Sequence, residues 1–178
     1  LIFIYIAVRF RKWQYGLGGL SALAHDSLIA VSLYSFFHGI LPFTMEVDQT
    51  FIAAILTIIG YSINDSVVIF DRIREYNNLY PKRSLKDNIN SALNSTLART
   101  FNTSGTTFVV LLIIFLFGGE VIRGFAFALM LGVLIGTYSS LFNASPIAYD
   151  LIQRQEKNRE KKDKNPKKQT KAGKNKKK

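Results

Sequence analysis

The sequence predicts an all-α fold, a polytopic membrane helix bundle, on three observations. Hydrophobic residues make up 48% of the chain. They gather into stretches that reach the ~20 residues a bilayer core requires. The charged residues collect at the ends of those stretches, where water and lipid headgroups solvate them.

The elements follow in order. Residues 1–8 are apolar but too short to cross, and they lack an initiator Met, a basic n-region and a small-residue cleavage site, so they do not read as a signal peptide. Leu1 reads instead as the interior of a truncated first helix, and the chain as a piece of a longer protein. Residues 17–37, 51–70, 96–117 and 121–144 are each long enough to span, giving about five helices in a transmembrane domain over 1–150. Between the spans 51–70 and 96–117, the connection 73–94 is broken by Pro81. It restarts at Ser84-Leu85-Lys86-Asp87, a capping pattern with an early acid, after which Leu85, Ile89, Ala92 and Leu93 recur at helical spacing. This predicts an amphipathic helix along the inner surface that runs into the next span.

Charge sets the orientation. From Gln153 onward thirteen Lys and Arg face three acids, so +10 of the net +11 lies in the tail 151–178, which is expected to be disordered. Arg9, Arg11, Lys12, Arg72, Arg74, Lys82, Arg83, Lys86 and the tail belong in the cytoplasm by the positive-inside rule. The alternate loops hold Glu46, Asp48 and Glu120, with Arg123 just beyond as the one positive exception. A nearly neutral membrane body excludes a nucleic-acid-binding surface there. The absence of cysteine excludes disulfides and thiolate chemistry, and two separated histidines at no ligand spacing argue against a metal site.

Asp65 closes an otherwise apolar stretch that begins at Phe51. An ionisable group at that depth costs roughly 3 kcal/mol or more and is a functional-site hypothesis by default. It lies six residues inside Asp71, about 9 Å at the helical rise, and Arg99 lies equally far inside Leu93. The two can therefore share one level, and an Asp that exchanges its proton while losing and regaining an Arg partner is a switch. The bland alternative is a static salt bridge tying two helices. Thr96, Arg99, Thr100, Thr103, Thr106 and Thr107 fall on one inward face, as packing glue or as the lining of a proton path. Asp26 is a proton site or an inward hydrogen-bond acceptor, with His25 read as structural. Gly124, Ala128, Gly132, Gly136, Ser140 and Ala144 recur every four residues, a bare face for close helix packing.

The run Gly60-Tyr61-Ser62-Ile63-Asn64-Asp65-Ser66-Val67-Val68-Ile69-Phe70-Asp71-Arg72-Ile73-Arg74-Glu75 resembles the signature of the SecD/SecF family of protein-export membrane subunits, on its SecF side. Ala24-His25-Asp26, Asn94-Ser95-Thr96-Leu97-Ala98-Arg99-Thr100, Thr103-Ser104-Gly105-Thr106-Thr107, Gly118-Gly119-Glu120 and the run from Gly136 to Pro146 are similar to it in the same order. The resemblance covers about 1–150 and leaves out the Lys-rich tail.

It implies a bundle of the resistance-nodulation-division transporter type, in which a SecF supplies six helices and SecD a related six. This chain would carry the last five of SecF's six. The implied activity is transport, not enzyme catalysis: use of the proton-motive force to promote preprotein export across the bacterial inner membrane beside the SecYEG channel. SecD, fused or separate, SecYEG and preproteins are the implied partners, with no cofactor. Asp65 and Arg99 match the family's intramembrane Asp and Arg for proton coupling, Asn64 matches its polar neighbour, and Asp26 and Thr103 are supporting polar residues. The basic tail is expected to meet anionic lipid at about 1 kcal/mol per basic residue near the surface, and no specific nucleic acid. The rival readings are a proton-coupled efflux or lipid transporter of the same superfamily, and a passive membrane scaffold.

Overall fold

The computed structural model describes Ile4, Ile6, Arg9, Phe10, residues 12–43 and residues 45–163. Its bounded elements are α1 (Trp13–Phe37), α2 (Gln49–Leu79), α3 (Leu85–Phe117), α4 (Glu120–Ser139), a π-helical segment (Ser140–Ala144) and α5 (Ser145–Asp163). Ile4, Ile6, Arg9 and Phe10 are helical as well. Four helices are long and apolar enough to cross a membrane, the last of them continuous from Glu120 to Asn158.

Local chemistry sets the ends. Past α1, the His38 N–H bonds the Tyr34 carbonyl at 3.1 Å, and Gly39 takes a φ of 79°, a left-handed setting that suits glycine, to turn the chain out. Asp48 caps α2 by accepting the Phe51 N–H at 2.9 Å, and Ser84 caps α3 by accepting the Asp87 N–H at 3.1 Å. At the far end of α3, a Cβ on Gly118 would lie 2.3 Å from the Ile114 carbonyl oxygen, so a residue without a side chain is needed there.

Two apolar clusters fill the bundle. Near the end that carries Arg9 and Arg72, Ile6, Phe10, Tyr15, Phe70, Ile73, Ile89 and Ile152 pack together. Toward the opposite end, Tyr34, Phe51, Ile58, Leu111 and Val133 form the second cluster. The α2–α4 contact depends on the small-residue face. Gly124, Ala128, Gly132, Gly136, Ser140 and Ala144 are all buried, and a Cβ on Gly132 would overlap the Ile58 side chain.

The connection 73–94 is divided between the two helices it joins, and α3 starts at the Ser84 cap and runs unbroken into the next span: α2 has 31 residues and α3 has 33, about 46 and 50 Å long against a hydrocarbon core of ~30 Å. Both run on past the core and meet as an antiparallel hairpin. Ile73, Ile89 and Ala92 bury in one cluster with Ile152, and Asn88 bridges the Asn77 side chain and the Tyr80 carbonyl at 3.0 and 3.1 Å. The tail, expected to be disordered from 151, stays helical to Asp163, because Ala148 and Ile152 place one helix face in the same cluster and Gln155 bonds Gln14. Residues 164–178, the rest of that expected tail, lie outside the described residues.

Candidate functional site

Between the two apolar clusters runs a buried polar belt at mid-length in every long helix. Asp26 comes from α1, Ser62, Asp65 and Ser66 from α2, Thr96, Thr100 and Ser104 from α3, and Thr137, Ser139 and Ser140 from the α4 rod. Polar groups in a helix bundle interior need internal partners: Thr96, Ser139 and Ser140 donate to backbone carbonyls, and two chains of side-chain hydrogen bonds join the helices. Ser62 Oγ donates to Asp26 Oδ2 at 2.5 Å, joining α2 to α1. Tyr61 donates to Ser104 Oγ at 3.2 Å and Thr137 to the same oxygen at 2.6 Å, joining α2, α3 and α4.

Asp65 is the exception. It is 6% exposed, yet its Oδ2 has no hydrogen-bond partner, and neither does the neighbouring Ser66 Oγ. Among the described residues, no ion pair within 4.0 Å joins Arg99 to Asp65; the Arg pairs present are Arg9–Asp71 at 3.5 Å and Arg72–Glu75 at 2.7 Å.

Arg99 instead lines a cleft of about 330 Å³ with Arg9, Asp71, Arg72, Glu75 and Ser95. Val68, one turn along α2 from Asp65, lines the same cleft. Arg72 Nε donates to Ser95 Oγ at 2.9 Å across it, closing α2 onto α3. The carboxyl is thus buried beside a polar cleft whose wall carries the Arg, without contact between the two.

The threonine stripe divides where the sequence pattern keeps it whole. Thr96 and Thr100 face this chain's interior, whereas Arg99, Thr103 and Thr106 are exposed. Thr103 and Thr106 donate back to carbonyls one turn earlier, Thr103 to Arg99 at 2.5 Å and Thr106 to Asn102 at 2.9 Å. Asn64 is exposed too. Asp26 is fully buried and also receives His25 Nδ1 at 3.1 Å.

Sequence reasoning missed Ser62, Ser66, Ser104, Thr137, Ser139 and Ser140 as members of the belt. Singly they read as helix-packing residues, but Ser62 and Ser66 share one face with Asp65 by three-and-four spacing. That spacing is the signal that points to them. No group of three or more His, Cys, Asp or Glu able to hold a metal ion occurs among the described residues.

Comparison with known proteins places this geometry in a family. Residues 1–154 match the family model described as protein export membrane protein SecD/SecF, C-terminal. The protein translocase subunit SecF of Rhodothermus marinus is 55% identical over 154 residues, covering 86% of this chain and 50% of that protein. The corresponding subunit of Haemophilus influenzae is 44% identical over 156 residues, covering 88% of this chain and 46% of that one. Among solved structures, SecDF in its super-membrane-facing form superposes with a TM-score of 0.80 at 39% identity, covering 90% of this chain and 21% of that chain. The chain spans about half the length of the curated relatives it matches. On the matched residues, the relatives and the shared bundle, this chain belongs to the SecD/SecF family of protein-export membrane proteins, as its C-terminal membrane domain.

Proposed function

We propose that this chain is the membrane part of a SecF-type subunit that uses the proton-motive force to promote protein export, with Asp65 as the proton carrier and Arg99 as its alternating partner. The observation that carries this reading is the buried Asp65 carboxyl with an unpartnered Oδ2, beside a polar cleft that holds Arg99. A carboxyl without a fixed partner loses and regains a proton with less reorganisation than one clamped in an ion pair. Neutral, it suits dry surroundings; ionised, it draws Arg99 or water toward it. Each protonation state therefore favours a different setting of α2 against α3. Asn64 and Thr103, exposed on this chain alone, supply polar flanks to that path.

SecD, fused or separate, is the proposed partner on the exposed side of α2 and α3; the SecYEG channel and preproteins complete the assembly. The Arg-rich end and the basic C-terminal segment face the cytoplasm of a bacterial inner membrane, with the segment beyond the helix drawn to anionic lipid.

The test is preprotein export in cells whose only complex carries the full-length protein with Asp65→Asn, or with Asp65→Asn and Arg99→Gln together, at matched membrane abundance. Export should fall to the level of cells lacking the complex in both. Export preserved in the double variant would mean that Asp65 and Arg99 serve only helix packing, and would refute the carrier role.

A further inference from the structure

Asp26 is a buried carboxylate that the carrier mechanism leaves unused, and its surroundings give it a role. Both of its oxygens have partners: Ser62 Oγ on Oδ2 at 2.5 Å and His25 Nδ1 on Oδ1 at 3.1 Å. Ser62 lies on α2 one turn before Asp65 and on the same face. Its other flank is fixed by α4, where a Cβ on Gly136 would come within 3.3 Å of Ser62 Cβ. Ser62 is therefore held between a hydrogen-bond acceptor on α1 and a bare patch of α4 backbone.

We propose that Asp26 is a positioning residue for the Asp65 site: by accepting the Ser62 hydroxyl it fixes the rotation of α2 one turn from Asp65, and so sets where the carrier carboxyl stands. This inference rests on the reading of Asp65 as the carrier. Rotation of α2 breaks the Ser62 bond and leaves Asp26, which is 0% exposed, with His25 alone. A buried carboxylate deprived of a donor is costly, so the bond acts as a detent that favours one setting of the helix. His25 lies on the edge of the exposed side of α1 and keeps its contact through the motion, because it neighbours Asp26 in the chain.

The experiment measures modification of Asp65 by dicyclohexylcarbodiimide in membranes carrying the full-length complex, read by mass spectrometry, with Asp65→Asn as the blank. Ser62→Ala removes the donor without adding bulk and should change the modification rate at least threefold at unchanged abundance. Asp26→Ala should do the same. Asp26→Asn, which keeps an acceptor oxygen for Ser62, should recover at least half of the change. Ser32→Ala, whose hydroxyl bonds the Leu28 carbonyl of its own helix at 2.7 Å, controls for loss of a helix hydroxyl and should match wild type.

A Ser62→Ala rate within twofold of wild type overturns the proposal, as does an Asp26→Asn rate no nearer wild type than Asp26→Ala. Should Ser62→Ala not accumulate, the Asp26→Ala and Asp26→Asn rates decide by the same criteria. If Asp65→Asn leaves export intact, the carrier reading fails, while the modification rates still decide whether the Asp26–Ser62 bond positions Asp65.

Discussion

Gly132→Ala tests whether close helix contact organises the bundle. A Cβ at this position would lie 2.1, 2.4 and 2.9 Å from Cγ1, Cδ1 and Cγ2 of Ile58. An unstrained carbon contact is about 3.5 Å, so the nearest pair is about 1.4 Å too close. Ile58 is 2% exposed, and two of the three atoms are bonded directly to its Cβ, where a branched side chain turns least freely. Either Ile58 leaves its rotamer, at about 0.5–1.5 kcal/mol, or α2 and α4 part and lose dispersion contacts along the seam. Overpacking of this kind costs about 1–3 kcal/mol, offset by up to about 1 kcal/mol from alanine's higher helix propensity. The net expectation is a loss of about 1–2 kcal/mol.

Equilibrium unfolding of the full-length protein in mixed micelles measures it. Gly60→Ala, whose new Cβ meets nothing within 4 Å, should be neutral or slightly stabilising. Ile58→Ala combined with Gly132→Ala should cost at least about 1 kcal/mol less than the two changes summed, because the new methyl occupies the space vacated. Equal stability of Gly132→Ala and Gly60→Ala would refute the packing argument.

Two further outcomes follow from the helix ends. Ser84→Ala removes the acceptor for the Asp87 N–H and should cost about 1 kcal/mol in the same unfolding measurement; no change would mean that another group caps α3. At the opposite end, the Thr50 hydroxyl and the Phe51 N–H bond the Asp48 carboxylate and hold its pKa below the ordinary 3.8. A depressed folded-state pKa gives stability that is present above the unfolded value and lost as pH falls through the folded one. Exchange of the Phe51 amide, corrected for its intrinsic rate, should therefore accelerate below pH 3.8 in wild type but not in Asp48→Asn, which caps without titrating. Identical pH profiles would contradict the cap's role.

Much of this architecture was legible because hydrocarbon imposes simple rules. Spans at 17–37, 51–70, 96–117 and 121–144 all fall inside observed helices, and Ser84 caps α3 where the pattern placed the cap. The full reach of two helices was less legible: α2 runs to Leu79 and α5 to Asp163, beyond the apolar stretches. Sequence hydropathy marks apolar stretches, not helix ends, and Ile73, Ile89, Ala92 and Ile152 extend the apolar core past those stretches by packing on one another.

The site was partly legible for a related reason. A lone Asp or Arg in an apolar run stands out by its cost, which singled out Asp65, Arg99 and Asp26. Ser62, Ser104 and Thr137 cost little to bury once bonded; spacing puts Ser62 on the face of Asp65, but only the fold shows the Ser62–Asp26 and Thr137–Ser104 bonds. Equal depth along two helices also left open which way side chains point. Arg99 faces outward from this chain while Asp65 faces inward, a distinction set by helix rotation.

The most direct test of the carrier role is the gradient dependence of export. Inverted membrane vesicles carrying the full-length complex, wild type or Asp65→Asn, are supplied with ATP and a preprotein while the imposed proton gradient is varied. The account predicts that the late phase of translocation accelerates with the gradient in wild type. In Asp65→Asn it should stay flat, at the rate of vesicles lacking the complex. An Asp65→Asn complex that follows the gradient as steeply as wild type would contradict the assignment of Asp65 as the proton carrier.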